Sequence, residues 1–170
     1  HPKPHRLTCI LGLEAKNPAI ILPDADIETA ATECAKGALT FNGQRCAALK
    51  IFFVHRSIAV EFNERLKHLV AAFRYGMPWE DNVVITPLAE GDRAEYLSGL
   101  VDDALWLGAD VINEGGGESA GTFFCPAVLY PASLNMRVCR EEQFGPVMPI
   151  VPYDTIDQPI RYITESNYGQ

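Results

Sequence analysis

Gly37-Ala38-Leu39-Thr40-Phe41-Asn42-Gly43-Gln44-Arg45-Cys46-Ala47-Ala48 joins two segments of different periodicity, and its reading decides the fold. Upstream, Ile27, Ala30, Ala31, Cys34, Ala38 and Phe41 recur at steps of three and four residues, which gives a helix one apolar stripe and places Cys34 in the core. Pro23-Asp24-Ala25-Asp26 starts that helix, with Asp26 able to cap its free N–H groups and Glu28 well placed in its first turn. Downstream, residues 49–55 read Leu-Lys-Ile-Phe-Phe-Val-His, a run of strand-forming residues. Between them Gly43 and Gln44 let the backbone turn tightly, and Arg45 sets a permanent positive charge beside Cys46. A neighbouring cation or aligned N–H groups favour thiolate over thiol, and the thiolate is the nucleophile. On residue type alone, Cys46 also fits a small buried hydrophobe.

Outward from this loop the chain alternates strands and helices. Residues 7–13 read as a short buried strand and 19–22 as a second. Ser57 is a plausible N-cap for a helix that carries Ile58, Phe62, Leu66, Leu69, Val70 and Phe73 on one side, and 76–82 is loop. Another helix, over 93–107, buries Tyr96, Leu97, Leu100, Val101, Ala104 and Leu105 and ends at Gly108. Residues 109–113 form a strand, and the glycine cluster at 115–117 lacks both the Gly-x-Gly-x-x-Gly spacing and the Lys-Ser/Thr ending of a phosphate loop. Strands follow at 122–130 and 147–153, and Ile156, Ile160 and Ile163 mark a last amphipathic helix. This alternation predicts an α/β layered fold with a largely parallel sheet.

A chain of 170 residues with 48% apolar and 21% charged composition holds one domain with a sizeable core. Its formal net charge of −8 argues against nucleic acid or an anionic membrane as partner. No apolar run approaches the roughly 18 residues of a bilayer span, and the opening His1-Pro2-Lys3-Pro4-His5-Arg6 lacks the apolar centre of a secretory signal, so the expected location is cytoplasmic. Five cysteines without a Cys-x-x-Cys pair suggest reduced thiols, not a disulfide framework or zinc site. The four histidines have no ligand-type residue at metal spacing, so no metal is expected.

Phe41-Asn42-Gly43-Gln44-Arg45-Cys46 resembles the cysteine signature of the aldehyde dehydrogenase superfamily. Lys16-Asn17-Pro18-Ala19-Ile20-Ile21-Leu22-Pro23-Asp24-Ala25-Asp26 resembles the stretch preceding that cysteine, and Glu141-Glu142-Gln143-Phe144-Gly145-Pro146-Val147 the family's Glu-x-Phe-Gly-Pro motif. The resemblance implies the three-layer catalytic domain of that family, Cys46 as nucleophile with its own N–H as oxyanion donor, and a nicotinamide cofactor, NADP or NAD. It further implies Glu142 on the nicotinamide ribose and Phe144 beside the ring. A carboxylate suits the first role because it can accept two ribose hydroxyls.

Arg45 is either a structural cation or a partner for an anionic substrate. The wording around 11–16, 76–80 and 166–170 is closest to the NADP-dependent, non-phosphorylating glyceraldehyde-3-phosphate dehydrogenase branch, which implies a phosphorylated aldehyde held by Arg45. One departure stands out: where the family carries its general base this chain has Gly12, with a glutamate at Glu14. Along a strand that shift keeps the same face but moves the side chain about 6.6 Å. Glu14 therefore either takes the role through a bulge or is a structural carboxylate. The resemblance also implies a longer parent, a homo-tetramer or homo-dimer, of which residues 1–170 are the incomplete catalytic domain, without the cofactor-binding domain and oligomerisation element and inactive alone. The alternative to an enzyme is a non-catalytic relative kept as a binding or scaffold domain.

Overall fold

Along Ile51–His55 every residue but the last is buried, and successive side chains enter different clusters. Ile51 and Phe53 pack with Leu97, Leu100 and Val101, whereas Phe52 and Val54 pack with Ala31, Leu39, Phe62 and Leu66. A strand with period-two side chains and apolar groups on both faces must lie inside a sheet covered on both sides. The computed structural model, which describes residues 3–6, 8 and 14–168, has that layered arrangement.

In chain order the elements are β1 (Pro18–Ile21), α1 (Ile27–Leu39), β2 (Ile51–His55), α2 (Ala59–Ala71), β3 (Arg74–Tyr75), β4 (Val83–Ile85) and α3 (Arg93–Trp106). There follow β5 (Asp110–Val111), β6 (Ser119–Ala120), β7 (Phe123–Phe124), β8 (Ala127–Tyr130), α4 (Arg137–Arg140), β9 (Val147–Tyr153) and α5 (Asp157–Glu165). The main sheet has the order β1-β2-β9-β8-β5. Its first four strands are parallel, and β5 joins β8 antiparallel. Helices α1 and α2 cover one face, and α3 and α4 the other. On that second face Tyr162 of α5 rests against Phe53, ring centroids 5.1 Å apart. The α/β fold with a largely parallel sheet is as expected.

Asp26 caps α1 through its side chain, accepting from Thr29 N at 2.7 Å, and Cys34 is buried. Burial pushes the Cys34 thiol up to about 12. Other boundaries differ from the sequence reading. Ser57 does not cap α2: it lies in a 3-10 turn, Arg56–Ile58, and donates its backbone N–H to the His55 ring. Leu105, expected inside, is 44% exposed beside Trp106 at 84%, because both sit on the outer side of the last turn of α3. The single strand expected over 122–130 is two strands. Phe123–Phe124 pairs in a hairpin with Ser119–Ala120, and Pro126, which has no N–H for a ladder, separates it from β8. The strand expected at 7–13, with Cys9 and Gly12, lies outside the described residues.

All four parallel strands begin at one edge of the sheet, so the segments just before β1, β2 and β9 converge there. Lys50 N donates to Asn17 O at 2.9 Å across that edge. The cysteine loop, the start of the Lys16–Asp26 stretch and the Glu-x-Phe-Gly-Pro motif fall on these three segments.

Candidate active site

After α1 the backbone passes through the left-handed region three times in succession, at Phe41 (φ 55°), Asn42 (φ 57°) and Gly43 (φ 71°). Each non-glycine residue there carries a strain of about 1–2 kcal/mol, and surrounding contacts compensate it. Asn42 is buried, and its amide answers Thr86 reciprocally: Nδ2 donates to Thr86 O at 3.0 Å and Oγ1 at 2.9 Å, and Oδ1 accepts from Thr86 N at 2.9 Å. Gly43 is a place where no other residue fits. A Cβ would stand 2.6 Å from Ala38 O and 2.8 Å from Gly145 O. The cysteine loop and the Phe-Gly-Pro loop therefore touch backbone to backbone, far closer than their separation in sequence indicates.

Cys46 comes out of this turn exposed. Its carbonyl is pinned from two sides, accepting from Asn17 Nδ2 at 2.6 Å and from Lys50 Nζ at 3.1 Å. Asn17 also donates to Ala48 O at 2.8 Å, and Lys50 to Arg45 O at 2.7 Å. Lys50 is 1% exposed, and its Nζ lies 3.2 Å from Glu142 Oε1 and 6.0 Å from the centre of the Phe144 ring. The structure thus brings Cys46, Glu142 and Phe144 around one buried ammonium. Phe144 is held at φ 39°, an unusual conformation for a bulky residue, at the point where the chain turns toward Gly145. A groove of 340 Å³ runs along Phe144, Phe41, Gln44 and Thr86.

A second lysine lies behind the first. Lys16, 1% exposed, donates to Val138 O at 2.5 Å, Glu141 O at 2.8 Å and Gln143 Oε1 at 2.5 Å. Gln143 in turn donates to Lys50 O at 2.7 Å and Val147 O at 2.8 Å. Burial pulls the Lys16 ammonium down to about 7, with the Lys50 charge acting the same way and Cys139, Glu142 and Glu141 opposing. Three acceptors around Nζ match the three protons of the charged form. This chain of contacts ties the starts of β1, β2 and β9 into one frame. Sequence reading missed Lys16, Asn17, Lys50 and Gln143 as functional side chains. The available signal was a lysine just ahead of each of two apolar strands, Lys16 two residues before β1 and Lys50 directly before β2.

Arg45 is half-buried: Nη2 donates to Gly37 O at 3.2 Å, the guanidinium lies 6.0 Å from the Phe41 ring, and the buried Nε meets no acceptor. Glu14 is exposed. After burial, its charge is the largest influence that raises the Tyr168 phenol, and Glu142 contributes as well, so Glu14 lies on the Glu142 side of the site. Gly12 is outside the described residues.

An exposed cysteine on a strained loop, a buried ammonium and a carboxylate thus gather at the amino ends of the parallel strands of an α/β domain. The sequence model of the aldehyde dehydrogenase family matches residues 4–170, and the chain belongs to that family. An NADP-dependent glyceraldehyde-3-phosphate dehydrogenase of Streptococcus equinus is 38% identical over 94% of this chain. A 3-sulfolactaldehyde dehydrogenase of Priestia aryabhattai is 33% identical over 94%. The crystal structure of an NADP-dependent glyceraldehyde-3-phosphate dehydrogenase from Bacillus halodurans C-125, complexed with NADP, superposes with a TM-score of 0.88 at 38% identity, covering 93% of this chain. A salicylaldehyde dehydrogenase from Pseudomonas putida G7, complexed with salicylaldehyde, does so at 0.90 and 31% identity, covering 98%. The chain spans about a third of the length of these relatives: 33% of each of the first three and 34% of the last.

Proposed function

We propose that this chain supplies the thiol-bearing part of an NAD(P)-dependent aldehyde dehydrogenase, with Cys46 as nucleophile. The observation that carries the reading is the convergence of Cys46 and Glu142 on Lys50. The Cys46 thiolate adds to the aldehyde carbon, and the resulting alkoxide is stabilised by the backbone N–H of Cys46 itself. The peptide plane that carries this N–H is held by Lys50, which donates to Arg45 O at 2.7 Å. A bound nicotinamide would supply the hydride acceptor that turns the thiohemiacetal into a thioester. Glu142 and Phe144 fit such a group: Glu142 Oε1 is buried without a hydrogen bond despite its ion contact with Lys50, and the carboxylate is an acceptor for ribose hydroxyls. Hydrolysis of the thioester needs a base, and Glu14 is the carboxylate we assign to that step.

The relatives named for glyceraldehyde 3-phosphate and 3-sulfolactaldehyde act on aldehydes with an anionic end. Arg45, a half-buried permanent cation directly before Cys46, supports an anionic aldehyde here, a phosphorylated one first. The four described cysteines are free thiols, which supports a reducing, cytoplasmic setting. Apolar side chains left exposed on α5, Ile160 at 47% and Ile163 at 41%, support association with further protein surface in a homo-oligomeric parent.

The test is an aldehyde panel with NADP and NAD on the whole protein that contains this chain, comparing wild type with Cys46→Ser and Glu14→Gln. Aldehyde-dependent NADPH formation that vanishes in Cys46→Ser is expected. Retained turnover in that variant, or none in the wild type with any aldehyde, overturns the reading in favour of a binding or scaffold role. Full steady-state turnover in Glu14→Gln removes Glu14 from the mechanism.

A further inference from the structure

Lys50 occupies the last position before β2, where the strand is already buried and an apolar residue would pack at lower cost. Burying an ammonium is unfavourable unless it is paired and hydrogen-bonded. Here it has four oxygen partners: it donates to Arg45 O at 2.7 Å, Cys46 O at 3.1 Å and Ala48 O at 3.4 Å, and makes an ion contact with Glu142 Oε1 at 3.2 Å. Three belong to the cysteine turn and one to the carboxylate of the loop before β9. The backbone of Lys50 is fixed independently, N–H on Asn17 O and carbonyl on Gln143 Nε2, so the side chain is not required to hold the strand in place. The other charges near it are Lys16, behind Gln143, and Arg45, whose guanidinium turns away toward Gly37 O.

Resting on Cys46 as the nucleophile, we infer that Lys50 is a positioning residue that couples Glu142 to the cysteine turn: one ammonium is shared between the carboxylate and the main chain that carries the thiol. Glu142 and Cys46 then respond to each other's charge through it. With the ammonium gone, Glu142 is a nearly buried carboxylate with no counter-ion beside the turn that carries Cys46, and its negative charge opposes formation of a second negative charge there. With Glu142 neutral, there is no negative charge for the ammonium to cover, so removing the ammonium matters less.

The experiment is the pH–rate profile of iodoacetamide modification at Cys46 in the whole protein, mapped by peptide mass spectrometry, with Cys125 as the internal control thiol. In Lys50→Met the midpoint moves to higher pH by about half a unit or more, which is about threefold slower labelling on the acid side. In Glu142→Gln it moves to lower pH, and in the double variant the Lys50→Met shift shrinks by at least half. A wild-type profile in Lys50→Met, or single shifts that simply add in the double variant, overturns the inference. Should Lys50→Met fail to give a native near-UV spectrum, Glu142→Gln decides alone: an unshifted profile refutes the coupling. Turnover retained in Cys46→Ser sinks the dehydrogenase reading, whereas turnover lost there with unshifted labelling profiles sinks only the role of Lys50.

Discussion

Replacing Gly43 by alanine tests whether the cysteine loop and the Phe-Gly-Pro loop are built as one unit. Two effects add. At φ 71° an L side chain meets the left-handed penalty, about 1–2 kcal/mol. The new Cβ would also stand 2.6 Å from Ala38 O and 2.8 Å from Gly145 O, and both are backbone atoms that no rotamer change can move. Forcing one methyl into a closed site costs a further 1–3 kcal/mol or so, giving about 3 kcal/mol in total. Gly121 separates the two effects: its φ is 62° but nothing lies within 4 Å of its Cβ direction, so Gly121→Ala carries the strain alone. Urea unfolding of both variants should place Gly43→Ala about 2 kcal/mol below Gly121→Ala. In a domain of this size that gap is roughly 4–8 °C in melting temperature. The distortion must move Cys46 relative to Glu142, so labelling of Cys46 should change in Gly43→Ala and not in Gly121→Ala. Equal stabilities within about 0.5 kcal/mol, the usual scatter for independent surface changes, would show that the loops do not press on each other there.

Asn42→Ala removes the reciprocal amide pairing with Thr86 and leaves the half-buried Thr86 N–H without that acceptor. A loss of about 2–4 kcal/mol in urea unfolding is expected, and a loss under about 1 kcal/mol would mean that the turn is held by other contacts. Lys16 predicts a pH dependence of stability. Burial pulls its ammonium down to about 7 in the folded protein from an ordinary 10.5, so between these limits the unfolded chain binds the extra proton. The contribution is therefore complete above 10.5 and lost as pH falls through 7. Buried Cys34 and Cys139, pushed up to about 12, act in the opposite sense and remove stability as pH rises above 9. Wild type should gain about 2 kcal/mol from Lys16 between pH 7 and 9, and Lys16→Met should lose that slope. An unchanged slope would assign the pH dependence to another group.

The elements that the sequence made legible are those where one signal outweighs its neighbours. Asp26 and the stripe from Ile27 to Ala38 define α1 because cap and period agree. The continuous apolar run of Val147–Tyr153 defines β9 to the residue. Two-residue strands such as Arg74–Tyr75 have no period to read, and they exist only because a partner, Val83–Ile85, passes beside them. At 122–130 strand propensity alone hid the break that Pro126 imposes. Ile156, Ile160 and Ile163 do recur with helical spacing in and just before α5, yet they stay 41–47% exposed because the helix turns Pro159 and Tyr162 inward. Periodicity gives the stripe but not what it faces.

The candidate site divides along the same line. Motif wording points to Cys46, Glu142 and Phe144, but the groups that bring them together come from partners up to 127 residues apart, as in Lys16 with Gln143. No local pattern encodes such a pairing. What a sequence does show is an anomaly: a lysine placed where burial is certain. Lys16 precedes β1 and Lys50 precedes β2, and a buried amine requires acceptors that the strands themselves cannot supply, since their carbonyls are committed to the sheet. The acceptors come instead from outside the sheet, from the cysteine turn for Lys50 and from Val138, Glu141 and the Gln143 side chain for Lys16, and segments that converge on a buried cation are fixed by it. The two lysines are therefore the physical reason that three loop segments, the ones before β1, β2 and β9, hold a cysteine and a carboxylate in fixed relation at the amino end of this sheet.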